Sequence, residues 1–85
     1  IVQYADPQAS AAFLNRMQRL AQIPLIAGGD FERGSSMRVT GATRFPHNMA
    51  FAAARNREAT RELGEITARE SRAIGIHWVF APVAD

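Results

Sequence analysis

The chain has 85 residues, 47% of them apolar, a formal net charge of +2 and no cysteine. That length allows one domain with a small core, since such a chain buries only about 60–65% of its unfolded surface, and the missing cysteines exclude disulfide staples and thiolate metal sites. All ten basic residues are arginines interleaved with eight acids, so no clustered basic face marks a nucleic-acid footprint, and no run approaches the roughly 18–20 apolar residues of a membrane span.

Ile1 to Tyr4 is β-prone. It carries no initiator methionine and reads as the middle of something, so the lack of a visible signal peptide says little about targeting. Asp6-Pro7 reads as a helix start, with Asp capping free N–H groups and Pro at the first helical position. Phe13, Met17, Leu20 and Ala21 recur at i, i+4, i+7 and i+8, which predicts one apolar helix face, with Arg16 and Arg19 off it.

Leu25 to Gly28 reads as a short strand covered on both faces. Gly28 and Gly29 relieve side-chain clashes there, for a sharp turn or the close approach of a ligand. A long polar connection follows from Phe31 to about Pro46, with turn residues at Gly34-Ser35-Ser36 and Thr40-Gly41. Between them, Met37-Arg38-Val39 and Thr43-Arg44-Phe45 have the make-up of a small hairpin. Connections of this length exceed the usual few residues and are often functional.

Asn48 to Ala54 reads as helical, and Asn56 caps a second helix to about Ile74 with Ala59, Leu63, Ile66 and Ile74 on one face. Glu65 and Arg69 are spaced for an i, i+4 pair, and Arg57, Glu58, Arg61, Glu62, Glu65 and Arg69 make a solvated face. Gly75 supplies the stop. Ile76 to Ala81 is the clearest strand, and Pro82 weakens pairing beyond it.

The order strand, helix, strand, helix, strand predicts an α/β fold, β-α-β-α-β, with a parallel sheet. In such a sheet the strand C-termini share one edge, where α/β folds bind ligands. Asp6, Asp30 and Asp85 gather there, and Asp6 is taken by capping. Asp30 is the leading candidate for a functional residue.

Several chemistries are disfavoured. Gly28-Gly29-Asp30-Phe31-Glu32-Arg33-Gly34 matches neither phosphate-loop pattern and has no lysine. Gly34-Ser35-Ser36 is not a nucleophile elbow. The two histidines, His47 and His77, are too few and too far apart for a metal centre. His77 reads as a packed, hydrogen-bonded residue and His47 as an ordinary helix-start residue, while Glu32 and Arg33 form either a ligand site or a local surface ion pair. Strand-edge carboxylates with neighbouring arginines fit a polyol or sugar, held by charge-assisted hydrogen bonds to its hydroxyls.

Gly29-Asp30-Phe31-Glu32-Arg33-Gly34, Arg44-Phe45-Pro46-His47-Asn48-Met49-Ala50-Phe51, Ala68-Arg69-Glu70 and Gly75-Ile76-His77-Trp78-Val79-Phe80-Ala81-Pro82-Val83-Ala84-Asp85 together resemble the N-terminal barrel of family 3 glycoside hydrolases, which includes β-N-acetylhexosaminidases and β-glucosidases. The resemblance spans almost the whole chain. It implies that residues 1–85 are part of a TIM-type (β/α)₈ barrel, a fold of about 250 residues, acting on a carbohydrate without a cofactor. It further implies that Asp30 binds sugar hydroxyls in the first subsite, and that Arg38 and Asp85 shape the same pocket. Members resembling the N-acetylglucosaminidase branch carry Asp-x-Glu-Gly-Gly, whereas Arg33 occupies the first of those glycine positions here.

The family's aspartate nucleophile and its acid/base both match regions beyond these residues. Two-carboxylate chemistry needs both partners, so the 85-residue chain alone is expected to be inactive. The competing readings are a non-catalytic parallel α/β binding or scaffold module and, less well supported, a phosphate-ligand module. Open sheet edges would also invite self-association.

Overall fold

A computed structural model describes residues 5–84. The Ile1–Tyr4 strand expectation and Asp85 lie outside the described residues. Within them the chain is α/β: helix α1 (Pro7–Leu20), strand β1 (Gly28–Gly29), a 3₁₀ turn (Ser35–Met37), helices α2 (Asn48–Ala54) and α3 (Arg57–Ile74), and strand β2 (Trp78–Val79). β1 and β2 pair in parallel, Gly28 opposite Trp78 and Gly29 opposite Val79. Further back, Ala5 makes a parallel bridge to Val39.

The helix boundaries follow the capping chemistry. The Asp6 carboxylate accepts the Ala9 N–H at 2.7 Å, and Asn56 Oδ1 accepts that of Ala59 at 3.1 Å. Each satisfies a backbone donor that the helix itself leaves free. Gly75 ends α3 at φ 96°, a left-handed conformation that a Cβ penalises. Glu65 takes Arg61 at 2.9 Å rather than Arg69, so its partner lies one turn earlier than the spacing argument chose.

Both strands are shorter than the sequence predicts. Leu25 and Ile26 are 46% and 73% exposed, not covered on both faces. The Leu25 backbone is satisfied by a side chain instead: Gln18 Oε1 accepts its N–H at 2.9 Å and Gln18 Nε2 donates to its carbonyl at 2.8 Å. Regular pairing starts only where β2 arrives. The Ala27 carbonyl accepts from the His77 and Trp78 amides, and the Gly29 carbonyl accepts from Phe80. His77 Nδ1 also accepts the Ala27 N–H at 3.3 Å. His77 is therefore hydrogen-bonded as expected but exposed rather than packed.

Gly28 and Gly29 do not make a turn. Neither has positive φ. Aromatic rings lie against them: a Cβ on Gly28 would come within 2.8 Å of the Phe80 ring, and one on Gly29 within 3.0 Å of Phe31. The space that the sequence offered to a ligand is thus taken by the chain's own rings. No hairpin joins Met37–Val39 to Thr43–Phe45, because the first segment coils into the 3₁₀ turn and Val39 bridges Ala5 instead.

The core consists of Leu14, Phe31, Val39, Ile74 and Ile76, with Ala11, Ala27, Ala42 and Val79 packed on it. Helix α1 meets α3 through Ser10, Ala11 and Leu14, not through the predicted Phe13–Met17–Leu20 stripe, and Phe13 and Leu20 are exposed. On α3 the buried residues are Thr67, Ser71 and Ile74, while Ala59, Leu63 and Ile66 are half-buried. Small side chains let the helices approach closely. The cost is that the Ser10, Thr67 and Ser71 hydroxyls find no partner among the described residues.

Two glycines give a sharp contrast. Gly34 sits at φ 92° and ψ 166°, a region essentially reserved for glycine, and a Cβ there would lie 2.7 Å from the Phe45 ring. Gly34→Ala should cost about 1–3 kcal/mol in urea unfolding. Gly64 lies inside α3 with open space around it, and Gly64→Ala should gain about 0.5–1 kcal/mol.

Candidate functional site

Asp30 follows β1 directly. Because β1 and β2 run in parallel and in register, the chain leaves both strands on one edge, with Asp30 beginning one exit and Phe80 the other. Phe31, next along, turns into the core at 2% exposure, whereas the Asp30 side chain stays 39% exposed. The alternation that buries Phe31 leaves the carboxylate at the rim.

The residue beside Asp30 is Arg38, from the far side of the 3₁₀ turn. Its Nη2 lies 3.7 Å from Asp30 Oδ2, close enough for an ion pair but too long for a direct hydrogen bond. Arg38 Nε is buried without a partner, and the Asp30 carboxylate accepts no hydrogen bond from the described residues. The pair therefore keeps unused donors and acceptors side by side. Glu32 and Arg33 form no ion pair with each other; among the described residues the ion pairs are Arg38–Asp30 and Arg61–Glu65.

Two hollows flank this region. One, of about 500 Å³, is lined largely by apolar groups, including Phe31, Phe51, Leu63, Val79 and Pro82, with Glu32 at its border. The other, of about 170 Å³, lies between α3 and the connection, beside Glu70 and Val39. Asp30 and Arg38 line neither. The predicted pairing of Asp30 with Asp85 lies outside the described residues. Among the described residues no cluster of three potential ligands could hold a metal ion, and no helix is long and apolar enough to cross a membrane.

Glu70 is the residue that sequence reasoning missed. It projects from α3 and receives three hydrogen bonds from the connection: Ser35 Oγ, Thr43 Oγ1, and the Thr43 N–H at 3.1 Å. Burial pushes its pKa up, but these three bonds to the charged form outweigh burial and hold the carboxyl below its ordinary 4.5. No local pattern announces this contact, because it spans 27 and 35 residues. The hint available was compositional: hydroxyl residues in a long connection and an acid on a half-buried helix position.

Residues 3–85 match the Glycosyl hydrolase family 3 N terminal domain. The chain belongs to that family. Among its relatives, the chain is 38% identical over 76 residues to a beta-N-acetylglucosaminidase/beta-glucosidase of Cellulomonas fimi, covering 89% of this chain and 14% of that protein. It is 45% identical over 62 residues to a lysosomal beta glucosidase of Dictyostelium discoideum, covering 73% of this chain and 7% of that one. It is 38% identical over 89 residues to a beta-hexosaminidase of Thiobacillus denitrificans, covering 96% of this chain and 25% of that one. The chain thus spans a quarter or less of each of these relatives.

The depressed Glu70 pKa fixes a pH dependence. The folded form holds its proton less tightly than the unfolded chain, so the Glu70 contribution is fully present above about 4.5 and is lost as pH falls through the lower folded value. Unfolding curves of the parent chain and Glu70→Gln should therefore differ at neutral pH and converge in acid. A difference that grows below pH 4.5 would contradict the assignment.

Proposed function

We propose that this chain is part of the N-terminal (β/α)₈ barrel of a retaining, exo-acting β-glycosidase that removes terminal β-N-acetylhexosaminide or β-glucoside residues. Family membership supports the reaction class, and the names of the relatives support these two sugars. The observation that carries the site is the Asp30–Arg38 pair at the C-terminal edge of two parallel strands, the face on which barrel enzymes bind substrate.

In this reading Asp30 accepts hydrogen bonds from sugar hydroxyls, and Arg38 donates to a neighbouring oxygen while holding the Asp30 charge in place. Bonds of this kind to a charged group are worth about 1.5–3 kcal/mol each. The family resemblance alone assigns Asp85, outside the described residues, to the same pocket. Retaining hydrolysis needs two carboxylates, and the family resemblance puts the nucleophile and the acid/base in regions outside these 85 residues. The reaction needs no cofactor. The hydrophobic hollow beside Phe51 and Leu63 lies off this pair.

The test uses the full-length protein containing this domain. Asp30→Ala should lower kcat/KM on aryl β-N-acetylglucosaminides and aryl β-glucosides by about 10–100-fold, as loss of a charged hydrogen bond implies. The isolated 85-residue chain should give no turnover above background. Wild-type kinetics in Asp30→Ala would remove the basis for this site.

Among the described residues each strand of the sheet is paired on one side only, and Trp78 and Phe80 stack on an exposed face with ring centroids 6.0 Å apart. Unpaired edges beside apolar surface favour association. The isolated chain should scatter light as species heavier than its 9.3 kDa; a monodisperse monomer would contradict this.

A further inference from the structure

We infer that Glu70 is a positioning residue for the sugar site: it anchors the connection after β1 to helix α3 and so sets Arg38 beside Asp30. The inference rests on the Asp30–Arg38 reading for its functional consequence, but not for the anchoring itself.

The contacts form an unbroken series. Glu70 accepts the Ser35 hydroxyl, and the Ser35 carbonyl in turn accepts the Arg38 N–H at 3.0 Å and the Val39 N–H at 2.9 Å. Arg38 then reaches Asp30 at 3.7 Å. On the far side of the turn, Thr43 gives both its hydroxyl and its N–H to the same carboxylate. The segment from Ser35 to Thr43 is thereby pinned at both ends to one side chain of a long helix.

Besides these bonds the segment is held at Val39, which is buried in the core and bridged to Ala5, and at Thr40, whose N–H donates to the Ala5 carbonyl at 3.0 Å. Among its residues only Ser35 and Val39 are buried, and Gly41 has no neighbour within 4 Å of where a Cβ would lie. A connection with so few buried contacts opens easily unless polar bonds close it. The Arg38 side chain has four flexible torsions of its own, and its 3.7 Å approach to Asp30 is too long to fix the backbone beneath it. Val39 fixes the backbone on one side of Arg38, and on the other side Ser35 is held by Glu70.

Amide hydrogen exchange and kinetics on the full-length protein test this together. Glu70→Gln removes the charge and replaces one acceptor by a donor. It should raise exchange of the Thr43, Arg38 and Val39 amides by at least about tenfold, while amides inside α1 and α3 keep their protection. Thr43→Val, which leaves the carboxylate intact, should reproduce a smaller version and serves where Glu70→Gln fails to fold. In kinetics on an aryl β-glycoside, Glu70→Gln should lose about tenfold in kcat/KM. The Glu70→Gln/Arg38→Ala double variant should be no worse than Arg38→Ala alone to within about twofold, since one residue acts through the other.

Unchanged exchange at Thr43 and Arg38 overturns the inference. So does loss of protection spread through α1 and α3, or fully additive losses in the double variant, either of which marks a general stability role. If exchange rises as expected but Asp30→Ala and Arg38→Ala leave catalysis intact, the anchoring stands and the sugar-site reading falls.

Discussion

The arrangement rests on a short clasp between two chain segments. Ala27 and Gly29 offer carbonyls to His77, Trp78 and Phe80, and His77 returns its ring nitrogen to Ala27. These few bonds set the register of β1 against β2, and the register decides which residues leave on the shared edge. A slip of one residue would send Asp30 inward and Phe31 outward. The core resists that slip, because Phe31 at 2% exposure is among the largest of its few buried side chains. The glycines make the clasp possible, since the Phe80 and Phe31 rings occupy the space where their side chains would be.

Electrostatics then does locally what the small core cannot. Burying a carboxylate is unfavourable unless hydrogen bonds stabilise its charge. At Glu70 they do, with three donors from the connection. The same bonds that keep Glu70 ionised close the connection onto α3. At Asp30 and Arg38 the balance is left open: the two charges stand 3.7 Å apart, with free hydrogen-bonding groups on both. One acid is saturated by its own chain, while the other has capacity left for a ligand.

Much of this was legible in the sequence. Asp6, Asn56 and Gly75 fixed helix ends because capping is decided by residues within three or four positions. The parallel order of the strands and the strand-end position of Asp30 followed from the alternation of elements. What the sequence did not disclose depended on partners far along the chain. The period of α1 was visible, yet its buried side runs through Ser10 and Leu14, since small residues set the approach to α3. The extent of β1 is limited by where β2 reaches it. The Glu70 contact crosses 35 residues to Ser35, beyond any local pattern, and only the composition of the connection hinted at it.

The two kinds of surface left on the chain call for different explanations. Leu25, Ile26, Trp78 and Phe80 are exposed in the sheet region, and apolar surface of that kind favours contact with other protein. The Asp30–Arg38 pair is different in character. Burying it against protein would require desolvating two charges whose mutual contact is too long to compensate fully. A ligand rich in hydroxyls meets those charges without that penalty, because it supplies donors to the carboxylate and acceptors to the guanidinium at once. The rim carboxylate and its arginine are therefore better suited to a hydrated polyol than to a protein partner, and the apolar strand faces are better suited to protein than to sugar.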